Sequence, residues 1–240
     1  MTGGRNTWLQ AMRAAFPHTI PVFTGFIFLG IAYGILMDSK GFGIGWTLLM
    51  SAAVFAGSMQ YVAITILAAP FSPLYALMMT LVVNARHLFY GVSMLEKFKG
   101  TGRFKPYLIF AMCDETFSIL VSTEPPSGID RTRFMVAVTA LDQLYWITGS
   151  AIGSLVGSMV SFDAKGLDFA LTALFVVIFI NQWRAALSHK PALIGLASSV
   201  LCLILFGSGG FVIPSMALTI VLLTAMKKDV SRELGGEAAR

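Results

Sequence analysis

Charge is what this chain has least of. Only 12% of its 240 residues are Asp, Glu, Lys or Arg, about half the share of an ordinary soluble domain, while 56% are hydrophobic and the mean hydropathy is +0.77. That composition leaves too few polar groups to cover a water-facing surface, which excludes a soluble globular fold. Cysteine is nearly absent: Cys113 and Cys202 both lie in apolar runs and read as small buried hydrophobes, not as a disulfide or a metal pair. The net charge of +5 comes from Lys and Arg in short connecting segments. That scatter argues against a nucleic-acid face and for positive-inside topology signals. The N-terminal stretch has no short apolar core ending in a cleavage site, so the first apolar run is expected to be a retained span.

What is abundant is apolar sequence in runs long enough to cross a hydrocarbon core of about 30 Å. Hydropathy and breakers place runs at 17–37, 45–69, 73–95, 105–122, 134–160, 167–184, 191–206 and 210–226. The expectation is an all-α, polytopic transmembrane helical bundle of about seven to eight spans. The links between runs are brief, as in EKFKGTGRFK at 96–105 and STEPPSGIDR at 122–131, and are punctuated by Gly and Pro. Eight crossings from a cytoplasmic N-terminus put the 122–133 loop, the Arg184–Lys190 stretch and a tail with Lys227 and Lys228 inside. The loop with Lys97, Lys99, Arg103 and Lys105 then falls outside, against the rule. Making one earlier run re-entrant repairs that loop but sends Arg184–Lys190 and the C-terminus outside.

An internal echo suggests duplication. Gly30 and Gly34 are followed by Asp38-Ser-Lys-Gly-Phe42, and Gly153 and Gly157 by Asp163-Ala-Lys-Gly-Leu167, with apolar runs reaching Gln60 and Gln182. Repeat units near 14–122 and 134–226, with broken helices, are the expected organisation of the single domain 1–240.

Polar residues inside apolar runs carry the chemistry. Asn84, Arg86 and His87 fall near the middle of the 73–95 run, where an Arg costs about 2.5 kcal/mol or more and so needs a partner. Asp114 and Glu115 lie in the next run, about 100° apart on a helix, so one of them can meet Arg86 while the other lines a polar cavity or a helix break. Buried acids can also take up and release protons. Asp142 is a third intramembrane acid or an interfacial one, and His87 is a proton relay or a structural histidine. Gly57, Ser58 and Gln60 permit either close helix packing or a broken helix that exposes backbone groups to a ligand. Asn181, Gln182, Trp183 and Arg184 read as the interfacial end of a span, and the many Met and Phe residues as packing; no cofactor or metal is implied.

Four stretches together resemble the AzlC-type large subunit of bacterial branched-chain amino acid exporters: FTGFIFLGIAYG at 23–34, MSAAVFAGSMQ at 50–60, VNARHLFYG at 83–91 and DETF at 114–117. The resemblance covers the first half well and the second half by general character. It implies an inner-membrane, multi-pass transport subunit working with a small AzlD-type membrane subunit. Such a pair exports hydrophobic amino acids such as valine, leucine, isoleucine or methionine, driven by protons. Burial cost then suggests Gly57, Ser58, Gln60, Asn84 and Arg86 for substrate binding, and His87, Asp114, Glu115 and Asp142 for proton coupling. Two readings of another class stay open: an intramembrane enzyme using His87 with Ser58 or Asp114, and a scaffold subunit. Against the enzyme, the sequence has no His-Glu-x-x-His and no rhomboid-like Gly-x-Ser-Gly.

Overall fold

The computed structural model describes residues 8–70, 72–159, 176, 179–180, 183–184, 188–207 and 211–226. Every regular element among them is helical: α1 (Trp8–Ser39), α2 (Ile44–Ala53), α3 (Gly57–Ala68), α4 (Pro73–Asn84), α5 (Arg86–Met94), α6 (Lys105–Phe110), α7 (Asp114–Ser122), α8 (Arg131–Met159), α9 (Lys190–Phe206) and α10 (Val212–Ala225), with a short 3-10 turn at Gly102–Phe104. The chain forms two compact units, 1–172 and 173–240. The expected 167–184 run, the Asp163–Leu167 half of the echo, Gln182 and the Lys227–Lys228 tail lie wholly or largely outside the described residues.

Two long helices form the spine of the first unit. Among the described residues α1, with 32 residues, is the helix both long and apolar enough to cross a membrane unbroken; at 1.5 Å per residue it measures about 48 Å. It packs along α8, of 29 residues. The two run in the same direction: Thr19 meets Tyr145 at 3.0 Å, Phe26 meets Trp146, and Gly30 and Gly34 meet Gly149, Ser150, Gly153 and Ser154 in that order. The glycine runs behind the sequence echo thus lie against each other, and their lack of side chains lets the two backbones touch. Phe28, Val92, Met159 and Ile204 are each at least 70% exposed, a surface suited to lipid rather than water.

Between the spine helices lie two segments that hydropathy reads as single crossings and that instead turn back. α2 leaves the Ser39 end of α1 and carries the Ala52 carbonyl to Gln143, midway along α8, at 3.1 Å. The helix stops at Val54-Phe55-Ala56, where Phe55 takes a positive φ of 41°, and α3 sets out from Gly57 beside Trp146. Its far end is joined by residues 69–72 to α4, which packs back along it through Met59, Val62 and Ile66 against Ala76, Met79 and Val83. α4 and α5 together run through to the opposite end, interrupted at Ala85. There the 95–104 turn brings Phe104 against Trp8 at the start of α1, and Arg133 at the start of α8 covers the same indole. α6 then enters from this Trp8 end, reaches Gln143 through Tyr107 at 2.9 Å, and breaks at Ala111-Met112-Cys113. α7 returns to the end it came from: the Lys97 ammonium donates to the carbonyls of Leu120 and Val121 and pairs with Glu124 at 3.0 Å. That donated hydrogen bond holds the Glu124 carboxyl below its ordinary range.

The runs at 45–69 and 105–122 are therefore hairpins whose ends share one side, entering from opposite ends with their tips at mid-height. Each half is a helix of 6 to 12 residues, or about 9–18 Å, too short to cross a hydrocarbon core of about 30 Å. In the second unit, α9 and α10 pack over a groove of about 460 Å³ edged by Gly195, Ser199, Ser215 and Thr219.

Candidate functional site

A helix that ends inside apolar surroundings leaves backbone donors and acceptors without partners, and the two hairpin tips place four such ends together. Neither the start of α3 nor that of α7 has a side-chain cap. The positive ends of both helix dipoles thus face mid-height.

Arg86, the first residue of α5, fills the gap between the tips. Its Nη2 donates to Ser58 Oγ at 2.6 Å and its Nη1 pairs with Asp114 Oδ2 at 2.6 Å. One guanidinium thus ties the first turn of α3 to the first turn of α7, a two-pronged reach that suits Arg and not Lys. The other carboxylate oxygen of Asp114 accepts from Tyr90 Oη at 2.7 Å, and the Tyr90 ring stacks on Phe117 with centroids 4.3 Å apart. The side chains of Arg86 and Asp114 remain 27% and 26% exposed, so a small polar molecule can reach the pair. Arg86 Nε and Asn84 Oδ1 are buried without a hydrogen-bond partner.

A second polar knot sits behind α7. Thr116 donates to Asp142 Oδ2 at 2.7 Å and contacts Cys113 Sγ at 3.1 Å. Asp142, in the middle of α8, is fully buried, and its Oδ1 has no partner; the interfacial reading of this acid does not hold. Glu115, which is acted on by both Asp114 and Arg86, also faces Cys113 and Asp142. Behind α3, Trp146 Nε1 donates to Gln60 Oε1 at 2.9 Å while its indole stacks on Tyr33. The Tyr33 hydroxyl faces the same Gln60 amide without good hydrogen-bond geometry.

The candidate residues therefore divide into groups. Ser58, Arg86 and Asp114 are joined directly, with Gly57 and Asn84 flanking them; Glu115 and Asp142 form the knot behind α7; and Gln60 is held by Trp146. His87 has its Nδ1 at 3.1 Å from the Asn84 carbonyl and its ring edge-on to Tyr90, the residue that donates to Asp114. Gly57 and Ser58 start a helix after a break rather than lining a continuous one. The sequence reading missed Tyr90, Thr116, Gln143 and Trp146. Tyr90 and Thr116 stand inside stretches already notable for their charged residues. Gln143 gave no signal beyond adjacency to Asp142, because its role, accepting from Tyr107 while donating to the orphaned Ala52 carbonyl, depends on a break that hydropathy does not register.

Helical throughout its described residues and apolar on its surface, with charged groups gathered at broken helices, this is a membrane protein with a polar site in its interior. Residues 21–160 match the family described as AzlC protein. Over 222 residues the chain is 53% identical to "Branched-chain amino acid transport protein AzlC" of Bacillus subtilis, covering 92% of this chain and 87% of that protein. It is 41% identical to an "Uncharacterized membrane protein" of Helicobacter pylori, over 93% of this chain and 98% of that one. It is 23% identical to "Inner membrane protein YgaZ" of Escherichia coli over 73% of each. No solved structure matches. The chain belongs to the AzlC family.

Proposed function

We propose that this chain is the large subunit of a secondary transporter that exports branched-chain and other hydrophobic amino acids, among them valine, leucine, isoleucine and methionine, across the bacterial inner membrane. In this reading it works with a small AzlD-type membrane subunit and is driven by the proton gradient. The observation that carries the reading is the accessible Arg86–Asp114 pair at the junction of two broken hairpins. An amino acid carries both charges of that pair: its carboxylate suits Arg86 and the positive N-terminal ends of α3 and α7, and its ammonium suits Asp114 and the carbonyl ends of α2 and α6. Opening the pair for a zwitterion exchanges one set of charge-assisted hydrogen bonds for another. The name of the Bacillus subtilis relative points the same way.

The hairpins also bear on topology. With 45–69 and 105–122 turning back and a cytoplasmic N-terminus, Lys97, Lys99, Arg103, Lys105, Arg131 and Arg133 all face inside. Counting the apolar runs at 167–184, 191–206 and 210–226 from hydropathy as one crossing each puts Arg184–Lys190 and the Lys227–Lys228 tail inside as well. Six crossings and two re-entrant hairpins satisfy every basic cluster that eight crossings, or one re-entrant run, left in conflict. With Cys113 and Cys202 replaced by serine, Lys99→Cys and Gly128→Cys should both react with an impermeant maleimide only in inside-out vesicles, and Lys40→Cys only in right-side-out ones. Labelling of Lys99→Cys and Gly128→Cys from opposite faces would make α6–α7 a crossing.

The functional test is efflux of preloaded radiolabelled leucine, valine and methionine from proteoliposomes holding this chain with its small partner. Gradient-dependent efflux, at least about tenfold above protein-free liposomes, is expected. Inserted, folded protein that moves none of them would overturn the reading. Lipid hydrolysis lost in Ser58→Ala would instead favour the enzyme.

A further inference from the structure

We propose that the buried carboxyl of Asp142 is the proton-binding site of this transporter, and that Thr116 links its protonation to the Arg86–Asp114 pair through the short helix α7. The proposal rests on the transport reading above and names which acid carries the proton. Both oxygens of Asp114 are occupied, one by Arg86 and one by Tyr90, so a proton there would have to displace the pair that receives the substrate. The His87 ring lies against the Asn84 carbonyl and Tyr90, with no hydrogen bond to an acid among the described residues.

Asp142 is placed differently. It is fully buried, accepts one hydrogen bond, from Thr116, and presents Oδ1 to no donor. The groups that face it are Thr116 and Glu115 from α7, Cys113 from the hairpin tip and Tyr107 from α6. Among the described residues it makes no ion pair with a Lys, Arg or His. A carboxylate buried without a counter-charge or a full set of donors is costly, and a proton on Oδ1 supplies both the missing charge and a use for the idle lone pair. A sodium ion would need several more oxygens. At hydrogen-bond distance Asp142 meets one oxygen, the Thr116 hydroxyl, and no cluster able to hold a metal ion occurs among the described residues.

The link to the substrate pair is the nine-residue α7. Asp114 and Thr116 both lie in its first turn, one fastened to α5 through Arg86 and the other to α8 through Asp142. An ionised Asp142 can only accept from Thr116, whereas a protonated one also donates, so loading the proton changes how the first turn of α7 is tethered to α8. In one cycle a hydronium ion on one side gives up a proton, which forms the O–H bond on Oδ1; that bond breaks when the proton passes to a water molecule on the other side, and no electrons change hands.

The experiment uses the full chain with its small partner in proteoliposomes, and compares leucine exchange at equal pH on both sides with leucine movement driven by a pH gradient or, separately, a sodium gradient. Asp142→Asn should keep exchange within about threefold of the parent and lose pH-driven movement at least tenfold, whereas Arg86→Ala should lose both. Should Asp142→Asn fail to fold, Thr116→Val provides the second variant. By removing one hydrogen bond to the acid it should move the pH of half-maximal drive by about one unit, with exchange retained. Undiminished pH-driven movement in Asp142→Asn, an unmoved midpoint in Thr116→Val, or drive by sodium alone in the parent would each overturn the proposal while leaving the transport reading intact. Absence of exchange in the parent protein would overturn the reading beneath it and the proposal with it.

Discussion

Arg86→Ala is expected to reduce amino acid flux by at least about a hundredfold while the protein still inserts into the membrane. The guanidinium makes two contacts of 2.6 Å, to Ser58 and to Asp114, and no neighbour among the described residues can take its place. Removing it strands Asp114 with Tyr90 as its remaining donor. Breaking a buried ion pair from one side costs about 3–5 kcal/mol, and since this pair is about a quarter exposed, a loss near the lower figure is expected in thermal unfolding in detergent. A purely structural Arg would give the same first result, so the decisive comparison is the double replacement Arg86→Leu with Asp114→Met. It removes both charges together, should recover most of the lost stability, and should still move no amino acid. Recovery of flux in the double variant would show the pair to be a packing device and favour the scaffold reading. Arg86→Lys should retain a small fraction of flux, because a single ammonium cannot hold Ser58 and Asp114 from separate nitrogens.

The part of this site that was legible in the sequence was the part governed by charge. An Arg in an apolar run needs an acid, the next run offers two, and helical geometry allows only one of them to answer. Asp114 makes the ion pair, and Glu115 stands beside it facing Cys113 and Asp142. The helical membrane character was equally plain, because a chain with 12% charged residues can hide few surfaces from lipid. The hairpins were not legible. Runs of 25 and 18 apolar residues at 45–69 and 105–122 have the length of a crossing, and hydropathy does not report a reversal at mid-depth. The trace they left was indirect: a basic loop at 96–105 on the wrong side, and the Gly57-Ser58 and Asp114-Glu115 pairs, which sit where a new helix begins. One re-entrant run could not repair the charge pattern, whereas two do. Asp142 was ambiguous because its depth in the helix depended on where α8 starts; with the start at Arg131 it lies well inside.

The other large effect belongs to the spine. A Cβ built on Gly153 would collide with the Ile31 carbonyl of α1, and one on Gly34 would collide with the Ser150 carbonyl and come within 2.5 Å of the Ser154 nitrogen. These are backbone atoms of regular helices and cannot rotate aside, so even one methyl group forces α1 and α8 apart. Gly153→Ala should therefore cost about 2–3 kcal/mol, and Gly153→Leu should leave no folded protein detectable by size-exclusion chromatography in detergent. Two other glycines calibrate the result. Gly157→Ala meets Asp38 Cβ at 3.0 Å and the Ile35 Cα at 3.2 Å, a tighter fit than usual but against a side chain that can shift on one side, so a smaller loss is expected. Gly25→Ala meets nothing within 4 Å and lies within a helix, where alanine is favoured by up to about 1 kcal/mol, so it should be neutral or stabilising. Equal stability of Gly153→Ala and Gly25→Ala would disprove the parallel contact of α1 and α8. That contact also positions the site: Tyr33 comes from α1 and Trp146 and Asp142 from α8, and together they hold Gln60 behind one hairpin tip and Thr116 behind the other. Any Gly153→Ala protein that does fold should therefore lose flux as well, although the residue lies far along the helix from Arg86 and touches no polar group of the site.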